Sequence, residues 1–194
     1  MNLIIIASLL ASLLSPAPIS YPVDILFVVP NGEVLTPEDI AQGGQATQGA
    51  IAFWDRDESF HIPLTIRSTT IITLPAELVY GTYVWVVNYV RPDAKTLFIV
   101  DNDVSGKLLS TGGVGLTIVS EGAMIALSSP SPFLPAIIAH ELGHSVYLLP
   151  DQAEGTRDIM NGHGSGWAYH DGAIGCASLA LLGDPCKKAY LPLI

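Results

Sequence analysis

The sequence predicts an α/β (α+β) domain whose sheet is laid down first and whose principal helix comes late. Three observations lead there. A β-branched apolar run at residues 23–29 stops at a Pro-Asn-Gly turn, a capped helical segment follows it, and several strand-like runs between residues 62 and 127 precede an apolar helix that begins near Pro135. A chain of 194 residues is about the size of one ordinary domain, so a single core is expected.

The elements follow in order. VDILFVV, residues 23–29, reads as a strand closed by Pro30-Asn31-Gly32. Thr36-Pro37-Glu38-Asp39 then offers a capping hydroxyl, a proline at the first helical position and acidic groups near the positive end of the helix dipole. The helix it opens should run to about Trp54, with Gly43-Gly44 weakening its middle. Residues 62–74, 82–89 and 96–100 read as strands, and residues 113–127 as two short strands pivoting at Glu121-Gly122. After the loop Ser128-Ser129-Pro130-Ser131-Pro132, Pro135 suits a helix start, and Ile137, Ile138, Leu142 and Val146 form its apolar face. The Gly-rich stretch 161–169 should be irregular, and Asp171 can cap a closing helix over residues 172–182.

Charge and composition narrow the partners. Lys plus Arg number 8 against 18 Asp plus Glu, a net of −10, and no basic run occurs, so nucleic acid and anionic membrane surfaces are excluded as expected partners. Residues 1–20 carry no charged side chain. Their apolar run, ended by Pro16 and Pro18, is too short to span a bilayer and has the length of a signal-peptide core. Residues 1–20 are thus expected to be a signal peptide and residues 21–194 one secreted domain, without stable membrane association once the leader is removed. In an exported protein the two cysteines, Cys176 and Cys186, should form a disulfide worth about 2 to 3 kcal/mol.

HELGH, His140 to His144, carries the chemistry. On a helix the two histidines are about 40° apart around the axis and about 6 Å along it, so both imidazoles can meet one metal ion. Glu141 can reach a water on that metal without being a ligand. Two neutral nitrogens hold Zn²⁺, an open position keeps a water whose pKa falls toward about 7, and the carboxylate takes its proton as it attacks a peptide carbonyl. The apolar flanks place Glu141 in a buried helix, where a carboxylate without a function is costly. Gly143 is expected to let the helix pack closely against the sheet.

Two histidines leave the metal short of one protein ligand. No Glu follows Glu154, which excludes the large class of zinc proteases that takes a Glu from a second downstream helix. HELGHSVYLLPD followed by Asp158-Ile159-Met160-Asn161 resembles the metzincins, and among them the snapalysin-like small secreted bacterial proteases, with the pattern H-E-x-x-H-x-x-G-x-x-D and a Met-turn. The family's glycine is Tyr147 here, and the Asp comes eleven residues after the first His instead of ten; one inserted residue accounts for the shift, not for the missing glycine. The resemblance implies a mixed twisted sheet with an active-site helix, a Met-turn built on Met160 and a C-terminal helix. It also implies a zinc endopeptidase with His140, His144 and Asp151 on the metal, Glu141 as general base, and an edge strand within residues 113–127 that binds an extended peptide.

Alternatives stay open. Gly155-Thr156-Arg157-Asp158 with Gly162 resembles the aspzincin pattern and would make Asp158 the third ligand, and His163 is another donor. A zinc-stabilised binding domain without catalysis is the different-class alternative. Asp101-Asn102-Asp103-Val104-Ser105-Gly106 matches the first half of a Ca²⁺ loop, but Gly112 stands where the bidentate Glu belongs, so a turn is the better reading. Trp167 and Tyr169 would line the substrate pocket by family resemblance. Strand one begins almost directly after the leader, so no long inhibitory propeptide is expected. Peptide or protein substrates are the expected partners; nothing in the sequence fixes their specificity or the oligomeric state.

Overall fold

The computed structural model describes residues 21–55, 63–79, 84–100, 115–119, 122–127, 134–152 and 159–160. Among them β1 (Tyr21–Pro30), β2 (Leu64–Leu74), β3 (Lys95–Val100), β4 (Gly115–Ile118) and β5 (Ala123–Leu127) form one five-stranded sheet in the order β2-β1-β3-β5-β4. Strand β1 pairs in parallel with β2 and β3, and β3 with β5; β4 lies antiparallel to β5 at the edge. The helices are α1 (Pro37–Trp54), α2 (Ala76–Val79) and α3 (Leu134–Tyr147), with a 3-10 helix at Val84–Asn88. This is the mixed α/β architecture expected. The expected leader over residues 1–20, the calcium-like loop, Asp158, His163, Trp167, Tyr169, both cysteines and the expected closing helix over residues 172–182 lie outside the described residues.

Strands β1 and β3 read as unbroken apolar runs because central parallel strands are covered on both faces. Ile25, Phe27, Leu97 and Ile99 meet α1 and α3 on one face, while Leu26, Val28, Phe98 and Val100 meet Val79, Trp85 and Val86 on the other. The exception in β1 is the wholly buried Asp24. Its carboxylate accepts hydrogen bonds from Arg67 Nε at 3.0 Å, Arg67 Nη2 at 2.5 Å and Ser68 Oγ at 2.6 Å. The Arg67 hydrogen bonds hold the carboxyl below its ordinary value against the opposing effect of burial. The β1–β2 register slips between Val23 and Asp24, and this bulge brings two consecutive β2 side chains to one carboxylate.

Within residues 82–89, expected as a strand, the described part forms instead a 3-10 helix at Val84–Asn88. Trp85 and Val86 are buried while Val84 and Val87 are exposed, a helical pattern that the β-branched composition disguises. The segment covers the sheet face, with Trp85 edge-on to Phe98 at a ring separation of 5.3 Å. The single-turn α2 had no sequence signal. Helix α1 opens as expected: Thr36 Oγ1 accepts from Asp39 N at 3.2 Å, and Asp39 Oδ2 accepts from Thr36 N at 2.9 Å.

The Gly43-Gly44 pair does not interrupt α1, and its two members do different things. A Cβ on Gly43 would stand 2.5 Å from the Phe27 ring and 3.0 Å from Ile99 Cδ1, whereas a Cβ on Gly44 would meet nothing within 4 Å. Opposite effects are therefore expected. Gly44→Ala should stabilise the fold by about 0.5 to 1 kcal/mol through helix propensity, and Gly43→Ala should destabilise it by about 1 to 2 kcal/mol through overpacking. Urea unfolding of both variants checks the pair of signs.

Candidate metal centre

Helix α3 lies against the sheet beside α1, and its inner surface is apolar from Leu134 to Leu142. The last turn of α1 fastens it: Trp54 Nε1 donates to the Ala139 carbonyl at 2.9 Å, and the Trp54 ring stacks on Tyr147 at 4.4 Å. The helix is thus fixed along the stretch that bears the histidines.

His140 and His144 stand one turn apart as their spacing requires, with ring centroids 4.6 Å apart. His140 Nδ1 lies 2.7 Å from the Ile159 carbonyl oxygen, and His144 Nδ1 lies 2.6 Å from that of Leu149. A carbonyl only accepts, so each Nδ1 carries the hydrogen and each Nε2 of a neutral ring presents its lone pair. The two Nε2 atoms face each other at 3.0 Å, and Asp151 Oδ1 lies 3.3 Å from that of His140 and 3.2 Å from that of His144. These three groups are able to hold one metal ion.

The turn that brings Asp151 back explains how the chain manages without the expected glycine. Helix α3 ends at Tyr147, and Leu148 takes a φ of +55°, the left-handed conformation that a glycine normally supplies. The amide of Leu149 then donates to the Gly143 carbonyl at 3.1 Å, spanning one residue more than the usual closing bond of such a cap. This closure points the Leu149 carbonyl back at His144. Leu148 is left 68% exposed.

Gly143 corrects an expectation. Its missing side chain clears room for Met160 and Trp54, not for the sheet: a Cβ there would stand 3.0 Å from Met160 Cε, closer still to its Sδ, and 3.2 Å from the Trp54 ring. Met160 is wholly buried under the helix, one residue from the carbonyl that orients His140, and its own carbonyl accepts from Gln152 N at 2.6 Å. The turn at residues 159–160 therefore supports the site from below and ties down the chain leaving Asp151.

Glu141 is buried on the sheet side of the helix, with Oε2 2.5 Å from the Thr117 hydroxyl on β4. Burial raises its pKa, against the opposing effects of His140, Thr117 and His144. His140 is raised as well: burial disfavours the imidazolium, but Asp151, Glu141 and the Ile159 carbonyl outweigh it. Asp151 is lowered, chiefly by its hydrogen bond with His140. Sequence reasoning did not single out Thr117, Gly115, or Lys95, whose Nζ donates to the Ser145 carbonyl at 2.8 Å and whose pKa burial lowers. Each acts through a contact across the fold, and no local spacing signals it.

Neither a protein-family model nor a curated protein matches this chain. Among solved structures, metalloproteinase-II from Bacteroides fragilis is similar with a TM-score of 0.42 and 18% sequence identity, over 73% of this chain and 46% of that one. The chain thus spans less than half the length of that protein.

Two outcomes follow from the geometry. Relieving the left-handed strain, Leu148→Gly should leave stability unchanged or raise it by up to about 1 kcal/mol, where glycine elsewhere in an ordered segment usually destabilises; thermal melting decides. The His140–Asp151 pair also sets a pH window for chelator-treated protein. The raised His140 contributes stability below its unfolded value of 6.5 and loses it as pH rises through the folded one. The lowered Asp151 contributes above 3.8 and loses it as pH falls through its folded value. The contribution is therefore largest between those two unfolded values, and melting temperatures of wild type minus Asp151→Ala should peak there.

Proposed function

We propose that the protein is a secreted zinc-dependent endopeptidase that hydrolyses peptide bonds in peptide or protein substrates. What carries this is the meeting of three electron-pair donors, His140 Nε2, His144 Nε2 and Asp151 Oδ1, with a buried carboxylate in the same helix turn. With both Nδ1–H groups committed to carbonyls, no hydrogen lies among the three in their neutral-ring form. A cation satisfies them. The three donor atoms stand 3.0, 3.2 and 3.3 Å apart, close enough for one cation to meet all of them at bonds of about 2.0 to 2.2 Å. Two imidazoles and one carboxylate form the three-ligand set of catalytic zinc sites, which leaves a fourth position for water or substrate.

When bound, Zn²⁺ supplies Lewis-acid polarisation and lowers the pKa of water toward about 7. His140 and His144 would hold it through Nε2 and Asp151 through Oδ1, the two imidazoles kept in the right tautomer by the Ile159 and Leu149 carbonyls. Glu141 takes the proton of the attacking water and returns it to the leaving amine. Its burial makes the carboxylate a stronger base than it would be in water. Strand β4 has no second sheet neighbour among the described residues, so an extended peptide can add to the sheet there, beside Glu141. These features agree with the metzincin resemblance of HELGHSVYLLPD and Met160, while the leader over residues 1–20 and the single domain over residues 21–194 are proposed from the sequence alone.

Purified protein assayed on unfolded casein tests this directly. A chelator should abolish hydrolysis and added zinc restore it, while Glu141→Ala should lower kcat about 10²- to 10⁴-fold with zinc still bound. Equal hydrolysis by wild type, chelated wild type and Glu141→Ala would overturn the proposal, and zinc uptake without hydrolysis would make the domain a binding module. Bound zinc in Asp151→Ala against Asp158→Ala identifies the third ligand, with loss expected only in the first.

A further inference from the structure

We propose that Thr117, working with Gly115, is the positioning residue for Glu141, and that through it the edge strand holds the base in register with a peptide laid along β4. This rests on the endopeptidase reading and deepens it. Within β4, Leu116 and Ile118 pack toward the face of Trp85 and Phe98, so strand alternation turns Gly115 and Thr117 toward α3. There they meet Glu141. The Thr117 hydroxyl is 2.5 Å from Glu141 Oε2 and 3.1 Å from the Glu141 carbonyl oxygen. It has one hydrogen to give, and the shorter separation and the negative charge direct it to the carboxylate.

Gly115 shapes the other side. A Cβ at that position would lie 2.8 Å from Glu141 Cδ, 3.0 Å from Cγ and nearer still to Oε1, so the carboxylate fits only against bare backbone. The two residues divide the carboxylate between them. Oε2 is engaged by Thr117, while Oε1 accepts no hydrogen bond among the described residues. Three backbone facts make the strand a rigid ruler for this: β4 pairs with β5 over its whole length, β5 pairs with β3, and α3 packs on both β4 and β5. A peptide pairing with the outer edge of β4 is then fixed relative to residues 115 and 117, and through them to Glu141. Misplacing a reacting group by about 1 Å costs up to about 10²-fold in rate, so this contact falls in kcat and not in binding.

The experiment is a series at residue 117 in the full zinc-loaded protein, read by peptide hydrolysis, bound zinc and melting temperature. Thr117→Val keeps the shape and removes the hydroxyl, so kcat should fall about 10- to 100-fold with KM within about twofold and one zinc retained. Thr117→Ser should recover most of the lost kcat, which a purely structural role would not predict. Gly115→Ala should lower kcat likewise by displacing the carboxylate. Should valine disturb the fold, Thr117→Ala read against Thr117→Ser decides the same question. An unchanged kcat in Thr117→Val, or a loss that serine does not restore, overturns the proposal. If the wild type hydrolyses nothing, the endopeptidase reading itself fails, and the contact is then judged by melting alone. Thr117→Val should lower the melting temperature by about 3 to 6 °C in wild type and by about 1 °C or less in Glu141→Ala, whereas equal shifts in both backgrounds mean that Thr117 does not hold Glu141.

Discussion

Two hydrogen bonds from imidazole Nδ1 to main-chain carbonyls govern the architecture around the candidate metal centre. Each carbonyl belongs to a turn, so orienting a ring and closing a turn are one requirement. For His144 the carbonyl is that of Leu149, which reaches the ring only because Leu148 adopts a left-handed conformation and the helix ends there. For His140 it is that of Ile159, in the turn that buries Met160. That turn fits under the helix only because position 143 has no side chain. The left-handed leucine, the glycine in mid-helix and the buried methionine are thus consequences of aiming two nitrogens at one point.

Burying Glu141 follows from the same placement. The residue after His140 on α3 faces β4, where water is excluded and an isolated carboxylate would be costly. Partial compensation comes from a threonine hydroxyl on the edge strand and from the neighbouring histidines, and burial still leaves the pKa raised. A glycine two residues before the threonine supplies the space. The sheet therefore serves the site by proximity as well as by support, since its last strand touches the residue read as the base.

Strand β1 solves the opposite problem. Asp24 is buried just as completely as Glu141, but a bidentate arginine and a serine hydroxyl hold its carboxyl below the ordinary range. The contrast is one of partners: Asp24 faces a full guanidinium, and Glu141 faces neutral-ring imidazoles and a single hydroxyl. Hydrogen bonding thus outweighs burial at Asp24, and burial outweighs the partners at Glu141.

The sequence by itself determined the elements whose cause is local. The capped start of α1, the apolar strands β1 and β3, the pivot at Gly122 and the two histidines one turn apart all follow from neighbouring residues. It also brought Asp151 into consideration as a ligand, by spacing and resemblance. Tertiary structure decided the rest, because the deciding contacts join residues far apart in the chain. The 3-10 helix at Val84–Asn88 is β-branched in composition and is shaped by the sheet face it covers. Gly143 faces a methionine seventeen residues on, where helical packing alone pointed to the sheet. Leucine holds a left-handed turn that composition assigns to glycine, because the contacts of Leu149 with Gly143 and His144 outweigh about 1 kcal/mol of local strain. Thr117 lies twenty-four residues before the glutamate it touches, and only the pairing of β4 with β5 beneath α3 brings the two together.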